Sequence, residues 1–80
     1  MAKITHIINE AGHTVRRLQG DTLIHVKKDD HLELTIVEKD VETTRSNYLV
    51  DRIEHCITTH INGEFGRTDV ITNIFVKALK

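Results

Sequence analysis

Proline is absent from this 80-residue chain, cysteine occurs once, and tryptophan not at all. A single cysteine, Cys56, cannot close an internal disulfide, and without a cysteine pair no zinc-finger spacing exists. Tyr48, Phe65 and Phe75 are the only aromatic residues, so any core is built from Ile, Val, Leu and Thr. The lack of proline lets a ladder of backbone hydrogen bonds run without interruption. Charge of one sign is also lacking. A net charge of −1 gives no basic stripe of the kind nucleic-acid binders carry, and the pairs Arg16-Arg17 and Lys27-Lys28 read as solvated faces. No apolar run is long enough to span a membrane, and Met1-Ala2-Lys3-Ile4 does not open a signal peptide, so synthesis in a reducing cytosol is expected. There Cys56 would pack as a small hydrophobe.

What is present points to strands. Ile, Val and Thr supply 27 residues, against three Ala and six Leu. Branched side chains suit a pleated surface and lose rotamer freedom in a helix. Eighty residues make one domain, 1–80. Such a domain buries only about 60–65% of its unfolded surface, so a chain without staples is expected to oligomerise.

Several short strands separated by turn signals follow in order. KITHIIN (3–9) reads as a strand and Glu10-Ala11-Gly12 as a turn. His13 to Gln19 is a second extended stretch, closed by Gly20-Asp21. Thr22 to Lys28 alternates in part and ends at Asp29-Asp30. His31 to Glu38 alternates through Leu32, Leu34 and Ile36, up to a turn at Lys39-Asp40.

The second half supports two readings. Leu49, Ile53, Ile57, Ile61 and Phe65 recur every four residues, which is either one helical stripe capped by Ser46 or every second inward position of strands. Across 47–61 only Leu49, Arg52 and Glu54 are good helix formers; the other twelve each cost roughly 0.3–0.7 kcal/mol relative to Ala, which tips the balance to strand. Asn62-Gly63 is a turn either way. Thr68 to Lys80 is the best helix candidate, with Val70, Ile71, Ile74, Phe75, Ala78 and Leu79 on one face and Lys77 and Lys80 near its C-terminus. The alternation Val70, Thr72, Ile74, Val76 makes a terminal strand the competing reading.

An eight-residue spacing organises 18–65. Leu18, Val26 and Leu34 form one series; after a slip of one residue, Val41, Leu49, Ile57 and Phe65 form another, with Val37, Ile53 and Ile61 at half-steps. The text repeats too: LQGDTLIH (18–25), VKKDDHLE (26–33) and VEKDVETT (37–44) each open on an aliphatic residue and place Asp fourth, at Asp21, Asp29 and Asp40. These octads resemble the V-x-G-N/D repeats of triple-stranded β-helical spikes, found in contractile phage tails and type VI secretion tips. They differ in having Gly third only at Gly20, with Lys28 and Lys39 elsewhere.

The resemblance implies a mainly β, intertwined homotrimeric β-helix, to which the residue pattern over 68–79 would add a short C-terminal helix. Its repeat core would be Leu18, Val26, Leu34, Val41, Leu49, Ile53, Ile57, Ile61 and Phe65. It would be a non-enzymatic structural spike or fibre segment of a virion, made in the host cytoplasm and mounted on a tail hub or baseplate protein to contact or pierce a cell envelope. The alternative is a cytoplasmic α+β protein-binding module, an inhibitor or regulator acting as an oligomer. It would have an antiparallel sheet over 3–38 and helices near 47–61 and 68–79.

Chemistry is sparse. Among six histidines, His6, His13, His25, His31, His55 and His60, no pair has chelating H-x-H or HExxH spacing. No cofactor is expected, except that His55, sharing parity with Ile53 and Ile57, would converge in three copies on a trimer axis and suit a metal ion there. Cys56 with His55 or His60 supplies residue types for nucleophilic catalysis. Adjacent strand residues point to opposite faces, however, and no acid, base and nucleophile are seen to converge.

Overall fold

The computed structural model describes residues 2–20, 25–63 and 65–79, and among these every regular element is a strand. The order is β1 (Ala2–Ile8), β2 (Thr14–Gln19), β3 (His31–Glu38), β4 (Val41–Asn62) and β5 (Phe65–Ala78). They form one open mixed sheet, β2-β1-β5-β4-β3. Only β1 and β5 run parallel; all other neighbours are antiparallel. The chain is thus mainly β, and the trimeric winding of a β-helix is not seen within the single chain.

Local chemistry sets the turns. Asn9 accepts the Ala11 and His13 amides on its side-chain oxygen, both at 3.0 Å, which shapes the β1–β2 connection. Lys39 and Asp40 join β3 to β4 with φ of 50° and 64°, the left-handed pair that a two-residue hairpin demands. Asp29, in the loop before β3, is also left-handed at 72°. Its amide donates to the Val50 carbonyl at 2.8 Å, while the Val50 amide donates to the Asp30 carbonyl at 2.8 Å. That loop therefore continues the ladder along β4 just past the end of β3.

β4 is long because it serves two neighbours in turn. Its first part pairs with β3 as far as His31↔Leu49, and its remainder pairs with β5 from Tyr48↔Ala78 to Asn62↔Phe65. A bulge between Val50 and Arg52 separates the two halves. One extra residue there inverts the inward parity, since Val50 lies opposite Val76 before it and Ile53 opposite Ile74 after it. The core is small. Ile7, Val50, Ile74 and Val76 are fully buried, with Val15, Leu18, Val26, Leu32, Leu34, Tyr48 and Ile53 packed around them. Leu32 and Leu34 of β3 share a cavity wall with Ile7, Arg16 and Leu18, so the sheet curls until its two edges face one another without pairing.

Three expectations are corrected here. Residues 68–79 are not a helix: β5 lies centrally, between β1 and β4, and 47–61 belong to β4, so neither helix of the α+β alternative exists. A central strand is covered along both edges and half-covered on both faces. Val70, Ile71, Ile74 and Phe75 therefore fall on both parities and mimic a helical stripe. The segment Thr22 to Lys28 is not a strand over 25–28, and 22–24 lie outside the described residues.

Candidate functional site

The inward face carries His55. Register aligns Thr5, Thr72 and His55 across β1, β5 and β4, with Ile7, Ile74 and Ile53 in the next inward row. A cavity of 260 Å³ opens there between Lys3, Thr5, Val26, Ile53, His55 and Val70. His55 Nδ1 lies 3.2 Å from Thr72 Oγ1, a contact within one chain. The remaining histidines are dispersed. His6 meets Asn73 at 3.3 Å, His31 meets Asn47 at 2.9 Å, His60 lies 3.7 Å from Asp69, and His13 and His25 are exposed on connections. Among the described residues no three His, Cys, Asp or Glu side chains are grouped to hold a metal ion.

The outward face bears a polar row. Arg17, His6, Asn73 and Glu54 lie side by side across β2, β1, β5 and β4. The Asn73 side-chain amide donates to Glu54 Oε1 at 3.4 Å, and the Cys56 thiol donates to the same oxygen at 3.4 Å. That hydrogen bond, then partial burial and the Glu54 charge, push the Cys56 thiol above its ordinary range. Beside this row the Arg52 guanidinium lies 4.0 Å from the centre of the Phe75 ring, stacked over its outer side.

Beyond the start of β1, β4 and β5 continue as a two-stranded arm. Ala2 pairs with Asp69, and the hairpin runs on through Thr59↔Thr68 and His60↔Arg67 to Asn62↔Phe65. Asp69 is buried at the base of the arm. Its Oδ2 is 3.3 Å from Arg67, and its Oδ1 has no hydrogen-bond partner among the described residues. On the inward side of the arm, Ile57 is 72% and Ile61 81% exposed. Val41, at the other end of β4, is 62% exposed, and Val37 near the end of β3 is exposed as well.

The repeat core is therefore divided by the structure. Leu18, Val26, Leu34 and Ile53 pack on the buried cluster, whereas Val41, Ile57 and Ile61 face solvent in the single chain. Leu49 stands opposite Lys77, on the face away from Val50, because the bulge lies beyond it. Phe65 opens β5, and its side chain is outside the described part. The most buried residues, Ile7, Val50, Ile74 and Val76, belong to no octad series; the alternation of Val70, Thr72, Ile74 and Val76 was the signal for two of them.

Two measures show how open this arrangement is. A compact monomer of 9.2 kDa exposes about 4,900 Å², but this chain exposes 6125 Å². Its radius of gyration is 15.0 Å, where about 12 Å is usual for this length. The excess surface is of the size that one partner contributes to a specific interface, about 800 Å² or more. Comparison with known proteins returns no match: no family model, curated protein or solved structure is significantly similar to the chain.

Proposed function

We propose that this chain is a non-enzymatic structural protein that works as a homo-oligomer, its small sheet completed by further copies of itself. The observation that carries this reading is the surface excess, together with Val41 at one end of β4 and Ile57 and Ile61 towards the other, all left exposed. Among the described residues four fully buried aliphatic side chains make a thin core, and packing the exposed ones against other copies adds what the single chain lacks. Against catalysis stands the state of Cys56. Its hydrogen bond to Glu54 raises the thiol's pKa, the reverse of the shift that favours an attacking thiolate.

The setting is the one the octads imply, a spike or fibre segment of a phage tail or related contractile injection system, anchored to a hub or baseplate protein. The octads themselves fall on different local structures. Leu18 lies near the end of β2, Val26 in a loop and Val37 near the end of β3, so the reading rests on the exposed surface more than on the repeat. Native mass spectrometry at micromolar concentration tests it. A defined oligomer is expected, with three copies if the needle form holds, and a monomer under those conditions overturns the proposal.

A further inference from the structure

The free side of β4 offers an interface specific enough to be written residue by residue. β3 leaves β4 at Leu49, and the loop contacts end at Val50. From Asp51 to Asn62, β4 has β5 on one side and, among the described residues, no strand on the other. Asn62 and Phe65, separated by two residues in sequence, are the closing register pair of the hairpin. The closing pair of such a two-residue loop exchanges both its hydrogen bonds. Alternation from Asn62 therefore turns the even-numbered residues of this stretch towards β5. It leaves the amides and carbonyls of Ile53, His55, Ile57, Thr59 and Ile61 pointing to the open side. An edge this long, with no proline and no lysine, is a template for another strand.

We propose that a second copy of this chain pairs with the first along this edge, antiparallel, with the two-fold axis passing at Ile57. The proposal rests on the self-association argued above and adds its surface and register. An axis perpendicular to the sheet keeps inward residues opposite inward residues, so the candidate registers move in steps of one residue at the axis. With the axis at Ile57, Ile57 meets its own copy and Ile53 meets Ile61 at both ends. On the outward face Glu54 meets His60, and Cys56 meets Thr58. An axis at His55 still pairs Ile53 with Ile57 but leaves Ile61 beyond the paired span. An axis at Cys56 sets Ile57 against His55, one at Thr58 sets Ile57 against Thr59, and one at Glu54 sets two carboxylates face to face. Only the Ile57 axis, among these, matches all three isoleucines with isoleucines. It thereby accounts for the four-residue spacing of Ile53, Ile57 and Ile61, two of which the single chain leaves exposed. This pairing joins chains two at a time, so it favours a dimer, or an assembly of dimers, over the trimer that the octads imply.

Oxidative cross-linking reads the register directly. In the proposed pairing Cys56 lies opposite Thr58 of the other copy, where Cα atoms approach to about 4.5 Å, whereas Cys56 and its own copy sit on a diagonal at roughly 7–8 Å. The first distance admits a disulfide and the second does not without backbone movement. The variant Thr58→Cys is therefore expected to become a covalent dimer under mild oxidation, while the wild type, Glu54→Cys and His60→Cys do not. Cross-linking of the wild type, or of Glu54→Cys or His60→Cys in place of Thr58→Cys, overturns this register. As a second readout, Ile57→Lys sets two ammonium groups on the axis and is expected to lower the association constant at least 100-fold with an unchanged circular dichroism spectrum. An Ile57→Lys variant that associates as tightly as wild type overturns the interface. A monomeric wild type overturns both this inference and the reading beneath it; an oligomeric wild type whose Thr58→Cys variant stays unlinked overturns the inference alone.

Discussion

Replacing Ile74 by Ala removes the centre of the buried cluster. Ile74 is fully buried on β5, between Ile7 of β1 and Ile53 of β4 in the same inward row. Three carbons leave the core, a transfer loss of about 2.4 kcal/mol at 0.8 kcal/mol per methylene. The cavity left in a row that cannot easily close adds to this, so the total falls at about 3–5 kcal/mol. An 80-residue domain has only about 4–12 kcal/mol of stability in all, and each kcal/mol moves the melting point by about 4–8 °C. Urea unfolding followed by circular dichroism measures the change, with wild type and variant at matched concentrations because association shifts the midpoint by mass action. The comparison variant is Ile61→Ala. The single chain leaves Ile61 81% exposed, so within one chain its truncation costs at most about 0.5 kcal/mol. Any larger cost should disappear on dilution, as the loss of an intermolecular contact would. A loss below about 1 kcal/mol for Ile74→Ala would refute the packing described.

Two further outcomes follow from local chemistry. Lys39 and Asp40 both hold left-handed backbone, so Lys39→Asn with Asp40→Gly should raise stability by about 1–2 kcal/mol in the same urea experiment, and a loss would show that the turn is not under that strain. The Cys56 thiol, raised by its hydrogen bond to Glu54, carries less thiolate near pH 8 than a free cysteine. Its alkylation by iodoacetamide should therefore run slower in the folded protein than in urea, with thiolate reactivity appearing only at higher pH. Glu54→Gln should speed the folded reaction, and an unchanged rate would sever the proposed link between the two groups.

The strands were legible wherever one face met water and the other met the core. Ile4 to Ile8, His31 to Glu38 and the turns at Gly12, Asp29, Lys39-Asp40 and Gly63 are where the side chains place them, because alternation and left-handed backbone leave marks within a few residues. β5 was misread for the opposite reason. Its two edges and both faces are partly covered, and apolar residues on both parities erase the two-residue period. The four-residue stripe from Leu49 to Phe65 was visible too, but not its meaning. The bulge after Val50 turns Leu49 away from Ile53, and with no second strand beside β4 beyond Val50 among the described residues, Ile57 and Ile61 lie outside the core.

By itself, then, the sequence determined that this chain is mainly β, without an internal disulfide and with short turns at marked positions, although it suggested a helix where β5 stands. Those properties follow from side-chain shape, backbone permissiveness and composition, all of which act locally or as sums. The tertiary structure alone decided that β5 lies between β1 and β4 and that the fully buried residues are Ile7, Val50, Ile74 and Val76. It also decided that the far half of β4 runs on beyond β3, with no strand on that side among the described residues. Pairing partners are chosen by contacts between residues as far apart as Ala2 and Asp69, and no local pattern encodes which strand will lie beside which.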